Sequence, residues 1–452
     1  MASAAEQLAS NLNLSVFSKA TELKKRIWFT LGALIIYRLG TFVPVPGIDA
    51  ALMSQVFNQN SGGILGMFDM LAGGALSRMS IFALNIMPYI SASIIMQLLQ
   101  EVSPELKTLK KEGGEVGRRT LNQYTRYGTV LLAMVQSYAI AVGLEGMSVT
   151  GAQSAVIDPG FFFRATTVLT LTGGTVYLMW LGEQITARGI GNGISLIIFA
   201  GIVANLPGAL ANTFELARSD ALSPALVVLL LALSIGLIAF IVFVERAQRR
   251  VLVQYPKRQV GSSRMTGGDS SHMPLKLNTA GVIPPIFASS ILLLPATIAG
   301  FAAGTGPEWV TTVATLLGHG QPLYMAFYAF LIIFFCFFYT AIMFNPQDTA
   351  ENLRKYGGFV PGIRPGKNTA DYLDFILTRL TVVGALYMTA VCLLPEYLIS
   401  EYSVPFYLGG TSLLIVVTVT MDTVTQVHSH ILAHQYEGLM KKSQLRGRRR
   451  RT

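Results

Sequence analysis

The sequence predicts an all-α polytopic membrane protein with ten transmembrane helices. Three observations carry that prediction. Charged residues make up 13% of the 452 positions, against roughly a quarter in soluble domains. Apolar windows of about 20 residues recur, each long enough to cross ~30 Å of hydrocarbon. Lysine and arginine, 34 in all, gather in alternate gaps between those windows. Of these, 29 lie up to Arg26, in 107–126, at Arg188, and in 246–276, 354–367 and 441–451; the intervening gaps hold only Arg218, and Arg38, Arg78, Arg164 and Arg379 sit at or inside span ends. Short loops rich in Lys and Arg stay cytoplasmic, so the chain is expected to cross an even number of times with both termini inside.

Spans are expected near 25–44, 77–101, 124–144, 161–183, 193–211, 223–245, 280–303, 323–344, 372–395 and 404–430. They leave no room for a large soluble domain. Residues 1–24 read as a cytoplasmic segment. The apolar run after Lys24-Lys25-Arg26 is too long for a secretory signal and lacks a small-residue cleavage site. Glu6, and the lack of any Arg before residue 26, argue against a transit peptide. The spans divide into sets of five, 25–211 and 223–430, with an outer hinge loop at 212–222 and a basic tail at 431–452. Five is odd, so the second set starts from the opposite side. That is the arithmetic of two inverted five-helix halves with a pathway between them. The sequence adds no self-similarity to that count. Cys336 and Cys392 fall inside spans and read as reduced packing residues. The net charge of +10 is a cytoplasmic field suited to anionic lipid headgroups or an anionic partner.

Between the spans, three segments stand out. In the outer segment 62–76, Gly62-Gly63 and Gly73-Gly74 bracket Ile64, Leu65, Met67, Phe68, Met70 and Leu71. This is an apolar helix too short to span, so it is expected to be buried in protein or to line a cavity. Loop 246–279 carries Arg246, Arg249, Arg250, Lys257, Arg258, Arg264 and Lys276; loop 345–371 carries Arg354, Lys355, Arg364 and Lys367. Both exceed what topology requires, which favours docking of an acidic or nucleic-acid-bearing partner over topology charges alone.

Chemistry-bearing motifs are scarce. Arg38, Arg164 and Arg379 lie near span ends, and Glu183 and Asp422 toward cytoplasmic ends. Ion-coupled transporters place carboxylates or histidines within the membrane, so that class is disfavoured, as is a membrane enzyme. An apolar passage that closes by excluding water remains. Ile86 and Ile90 flank Pro88, Ile194 and Ile198 repeat the one-turn spacing, Ile286 follows Pro284-Pro285, and Ile415 lies in span ten. Aliphatic residues of this kind are also routine in helices facing lipid or neighbours. Pro88 and Pro295 are candidate bends. The phosphate-loop pattern fails because Pro361 and Asn368 stand where Gly and Ser or Thr are needed. Gly189 to Gly193 follows no strand and reads as a tight cytoplasmic turn. His428, His430 and His434 cluster near the inner end of span ten, with His430, His434 and Glu437 on one helix face; interfacial packing is expected there, and no metal or other cofactor.

Longer motifs bring in a family. The chain resembles the SecY family from about residue 20 to 440. The likeness rests on Pro44-Val45-Pro46-Gly47-Ile48-Asp49, Gly73-Gly74-Ala75-Leu76-Ser77-Arg78, Ile86-Met87-Pro88-Tyr89-Ile90-Ser91-Ala92-Ser93 and Gln123-Tyr124-Thr125-Arg126-Tyr127-Gly128. It continues through Trp180-Leu181-Gly182-Glu183-Gln184-Ile185-Thr186, Arg188 to Ser195, Ala280-Gly281-Val282-Ile283-Pro284 and Phe359-Val360-Pro361-Gly362-Ile363-Arg364-Pro365-Gly366. The resemblance implies a two-halved shell around an hourglass pore that conducts protein and hydrolyses no nucleotide itself. It places the pore ring on Ile86, Ile90, Ile194, Ile198, Ile286 and Ile415, and the plug helix near 63–74. It puts the lateral gate on spans two, three, seven and eight, with Ser91, Gln136 and Ser290; Leu294 replaces a polar gate residue of some relatives. Motor or ribosome docking falls on Arg250, Lys257, Arg258, Arg354, Lys355 and Arg364. The implied partners are the SecE and SecG small subunits, the SecA ATPase, the translating ribosome, signal-bearing polypeptides and anionic phospholipids. The implied location is the bacterial inner membrane.

Overall fold

The computed structural model describes residues 21–49, 52–53, 69, 72–146, 148–149, 153–154, 156–219, 223–255, 258–260, 264–266, 270–302, 321–402 and 410–449. In chain order its helices are α1 (Thr21–Gly40), α2 (Met87–Val102), α3 (Pro104–Glu112), α4 (Gly114–Gly146), α5 (Phe161–Arg188) and α6 (Gly193–Arg218). They continue as α7 (Pro224–Arg246), α8 (Ile283–Ala302), α9 (Pro322–Met343), α10 (Pro346–Lys355), α11 (Lys367–Tyr402) and α12 (Gly410–Arg449). Each expected span overlaps one of them; α3 and α10 are additional. Among the described residues, α4, α6, α7, α9, α11 and α12 contain the six stretches long and apolar enough to cross a membrane.

Local chemistry sets the helix starts. Proline opens α3, α7, α9 and α10 in the first turn, where its missing N–H costs nothing. Ser223 Oγ accepts from Leu226 N at 3.3 Å, and Asn345 Oδ1 accepts from Gln347 N at 3.0 Å and Asp348 N at 3.4 Å. Within the apolar helices, hydroxyls donate back to the carbonyl one turn earlier, as Thr129 does to Thr125 O at 2.8 Å and Thr381 to Leu377 O at 2.8 Å.

Three small antiparallel ladders, absent from the sequence reading, lie outside the helices. They pair β1 (Ser148–Val149) with β2 (Gln153–Ser154), β3 (Gln248–Gln254) with β6 (Ser270–Lys276), and β4 (Arg258–Val260) with β5 (Arg264–Thr266). The long basic loop is thus folded.

Span two departs from expectation. The helix begins only at Met87, and residues 72–86 form a chain of turns. Gly73 and Gly74 take φ of +68° and +80°; Met79 and Asn85, at 46° and 50°, are non-glycine residues in the left-handed region. Irregular backbone at membrane depth survives only where protein buries and bonds it, and this segment is almost wholly buried. Val45 N donates to Met79 O and Ile81 N to Val43 O, both at 2.9 Å. Phe82 stacks between Tyr37 of α1 and Tyr177 of α5, with centroids 6.2 and 5.9 Å away. Gly40 leaves room for the Phe82 ring, and Gly174 for the Ile81 carbonyl.

The chain forms two compact units, Met1–Asn205 with Val419–Thr452, and Leu206–Thr418. The boundary between these units lies within α6, which runs unbroken from Gly193 to Arg218. In the first unit, side chains satisfy the turn after α5. Ile190 N donates to Thr30 Oγ1 at 3.1 Å, Gly191 N to Gln426 Oε1 at 2.8 Å and Gly193 N to Thr186 Oγ1 at 2.9 Å. In the second unit, α9 packs against α8 and α11. The Phe287 and Phe335 rings meet edge to face there at 5.7 Å.

Candidate functional site

Two basic loops far apart in sequence form one body. β3 and β6 pair from Gln248↔Lys276 to Gln254↔Ser270. Strand alternation puts Val251, Val253, Met273 and Leu275 on one face and Arg250, His272 and Lys276 on the other. Val251 and Leu275 join Val360, Leu373, Ile376 and Leu377 in one apolar cluster, with Ile363 packed on it. Arg250, Arg354, Lys355 and Arg364 are all exposed around this core. Arg364 is held by its backbone: its carbonyl accepts from Thr369 Oγ1 at 3.0 Å, and Gly362 and Gly366 flank it at φ +81° and +107°. The turn is fixed while the Arg364 side chain is exposed to solvent. Lys355 pairs with Glu351 at 3.1 Å on the exposed face of α10, a contact worth little. Lys257 lies outside the described residues, and of Arg258 in β4 only the backbone is described, paired with Thr266 of β5.

All six isoleucines occupy the opening turns of helices. Ile86 is the fully buried N-cap of α2, and its carbonyl accepts from Tyr89 N at 3.1 Å and Ile90 N at 3.2 Å. Ile194 and Ile198 start α6, and Ile194 rests on Gly182, where a Cβ would come within 3.2 Å of its Cγ1. Ile286 lies in the first turn of α8; its carbonyl accepts from Ser289 Oγ at 3.0 Å and Ser290 Oγ at 2.7 Å. Ile415 is buried near the start of α12. Of the gate positions, Ser91 and Ser290 are buried, Gln136 on α4 is half-buried, and the Leu294 side chain lies outside the described residues.

The apolar plug positions Ile64, Leu65, Met67, Phe68, Met70 and Leu71 also lie outside the described residues. Asp69 and the turn that follows it at 73–77 are tightly tied. Asp69 Oδ1 accepts from Leu76 N at 2.9 Å and Ser77 N at 2.8 Å, while its carbonyl accepts from Gly74 N at 2.8 Å. Burial pushes the Asp69 carboxyl up, against the pull of these donors and of Arg78. Arg38 Nη1 donates to Gly73 O at 2.5 Å, and Tyr37 OH to Ala72 O at 3.4 Å. The Arg38 and Arg78 guanidiniums both lie over the Phe42 ring, 4.9 and 4.3 Å from its centre.

Sequence reasoning passed over Asp69, whose signal was an acid set in an apolar segment just before a glycine pair. It also passed over Glu396, which is buried on α11 beside Pro395, one residue beyond the expected span. On the same unit, Tyr328 OH and Thr411 Oγ1 share a 2.7 Å hydrogen bond. Glu183 pairs with Arg126 through two bonds of 3.0 and 2.7 Å. Among the described residues no His, Cys, Asp or Glu group is arranged to hold a metal; the side chains of His434 and Glu437 are not among them.

The SecY family model matches residues 80–424. The chain belongs to the SecY family. The protein translocase subunit SecY of Escherichia coli (strain K12) is 58% identical over 427 residues, covering 94% of this chain and 96% of the relative. The protein of the same name from Rickettsia conorii (strain ATCC VR-613 / Malish 7) is 57% identical over 432 residues, 95% and 99% of the two chains. Two solved structures share the fold at low identity. One, described as the structure of a protein conducting channel, superposes with a TM-score of 0.66 at 16% identity, covering 90% of this chain and 92% of that one. The other, Sec61 in the canine ribosome–channel complex from the endoplasmic reticulum, gives 0.62 at 15%, with the same coverage. This SecY-family chain is a helical multi-pass membrane protein and the channel subunit of a protein translocase, not an enzyme. The family match runs from the buried turns before α2, through both basic loops, into α12.

Proposed function

We propose that this chain conducts unfolded secretory polypeptides across the bacterial inner membrane and releases membrane helices sideways into the bilayer. Both termini face the cytoplasm, as the alternation of Lys and Arg supports. Ile86, Ile90, Ile194, Ile198, Ile286 and Ile415 form the collar, whose branched side chains offer no strong binding site to a sliding chain. Residues 63–74 plug it. A signal sequence opens the channel by binding the open state better than the closed one, at a lateral gate that includes Ser91, Gln136, Ser290 and Leu294. The work comes from outside, from a SecA-type motor or a translating ribosome, and SecE- and SecG-like subunits complete the complex. Anionic phospholipids match the inner basic field.

The observation that carries the docking half of this reading is the union of the two basic loops over one apolar core. Arg250, Arg354, Lys355 and Arg364 then belong to a preformed surface, complementary to an acidic motor face or to ribosomal RNA. Lys257 and Arg258 belong to the same loop. The test is reconstitution in vesicles with SecE, SecG, a SecA motor and a signal-bearing precursor, scored by protease protection. ATP-dependent protection supports the reading, and its absence in a correctly inserted complex overturns it.

A further inference from the structure

The chain entering α8 is fastened to the end of α7 by a contact that the channel reading does not use. Leu277 N donates to Ala247 O at 3.0 Å, carrying the β3–β6 ladder up to the C-cap of α7. The next residue, Asn278, is 4% exposed. Its Nδ2 reaches two acceptors, Glu245 Oε1 in the last turn of α7 at 2.6 Å and Gly281 O at 3.1 Å. Gly281 takes φ +63°, which suits glycine and strains other residues. That turn delivers Pro284, Pro285 and α8. From α11, Gly384 lies so close that a Cβ there would come within 3.1 Å of the Leu277 carbonyl.

The donor count makes the site selective. One amide nitrogen supplies two protons, and a carboxylate and a carbonyl each take one. The bond to Glu245 is charge-assisted and therefore among the stronger kinds. An aspartate at 278 turns the donor into an acceptor facing two acceptors. The fastening holds the entrance of α8, and beyond it the helix is held by side-chain packing on α9, where Phe287 meets Phe335.

We propose that the Glu245–Asn278–Gly281 bridge is a positioning device that holds the inner end of α8 in its resting place and so sets how good a signal sequence must be to open the gate. The inference rests on the channel reading above, in which α8 is a wall of that gate. Loss of the bridge lowers the resting state's advantage and leaves less for the signal to supply.

The test uses the reconstituted complex and two precursors, one with an intact signal and one with a crippled signal. Asn278→Asp is expected to raise transport of the crippled precursor, relative to the intact one, by roughly tenfold, on the scale of one charge-assisted hydrogen bond. Combining Asn278→Asp with Glu245→Gln restores a donor–acceptor contact with its polarity reversed, and is expected to bring the ratio back toward that of the parent. Should Asn278→Asp fail to accumulate in the membrane, Asn278→Ala removes the donor without adding charge and carries the same expectation. A ratio unchanged in Asn278→Asp or Asn278→Ala overturns the proposal, as does a double variant no closer to the parent than the single one. If the parent chain transports neither precursor, it is the channel reading that falls.

Discussion

Gln254 and Phe359 exchange a reciprocal pair of backbone hydrogen bonds, each 2.9 Å long. That pair joins the end of β3 to the loop after α10, and Gly358 fits beneath it against Val253 and Tyr255. Two basic loops far apart in sequence are thereby one folded surface. A partner meeting it orders little on binding, so the loss of a single charge is felt directly.

Arg364→Glu tests that surface. The residue is exposed and its turn is held by backbone bonds, so folding should change by no more than ~0.5 kcal/mol. Reversing the charge places repulsion where an acidic partner docks, and motor- or ribosome-driven transport should fall by about tenfold, on the scale of a rim charge pair. Parallel thermal unfolding in detergent and translocation in vesicles separate the two effects. Wild-type transport rates would refute the docking role.

Replacing Ile86, Ile90, Ile198 and Ile286 together by glycine tests the collar. Three of these side chains are buried or half-buried in the first two turns of a helix, and Ile86 caps one. Their removal opens space that water can enter, and a wetted constriction conducts ions. Planar-bilayer recordings should show a resting conductance that the parent lacks. Silence in the variant would count against the ring.

Gly73 tests the turns before α2. Its φ of +68° disfavours a side chain, and an added Cβ would come within 3.0 Å of Gly201 Cα. The left-handed backbone costs about 1–2 kcal/mol, and overpacking typically adds about 1–3 kcal/mol. Gly73→Ala should therefore unfold at a clearly lower temperature, whereas Gly208→Ala, at an open position on α6, should not.

These residues also mark how far the sequence could be read. The spans were legible because each is a long apolar window, and membrane crossing depends on length and apolarity alone. The late start of α2 was not. Residues 77–86 read as an apolar span, and what keeps them from being helical is remote: Val43 O, Tyr37, Tyr177 and the space at Gly40 and Gly174. Arg364 was legible as a loop cation, but its shared core with Val251 and Leu275 needed tertiary structure. The isoleucines looked like any aliphatic residues, and their roles came from family likeness. Glu396 escaped because a hydropathy window that ended at Leu394-Pro395 left it outside, although it is buried.

The turn between α5 and α6 yields the cleanest stability test, because its glycines leave backbone donors that side chains must satisfy. Gly191 is buried at φ +86° and donates its N–H to Gln426 Oε1 of α12 at 2.8 Å. Gln426→Leu keeps most of the side chain's bulk but removes the acceptor, leaving a buried N–H unpaired at a cost of about 1–3 kcal/mol. Gln426→Glu keeps an acceptor at the same reach and makes the bond charge-assisted, so it should unfold within a degree or two of the parent, within the ±0.5 kcal/mol of a neutral surface change. Thermal unfolding of both variants in one detergent decides the matter. If Gln426→Leu is as stable as the parent, water or another group already satisfies Gly191. If Gln426→Glu is as unstable as Gln426→Leu, the amide of Gln426 matters for its own donor and not for its oxygen.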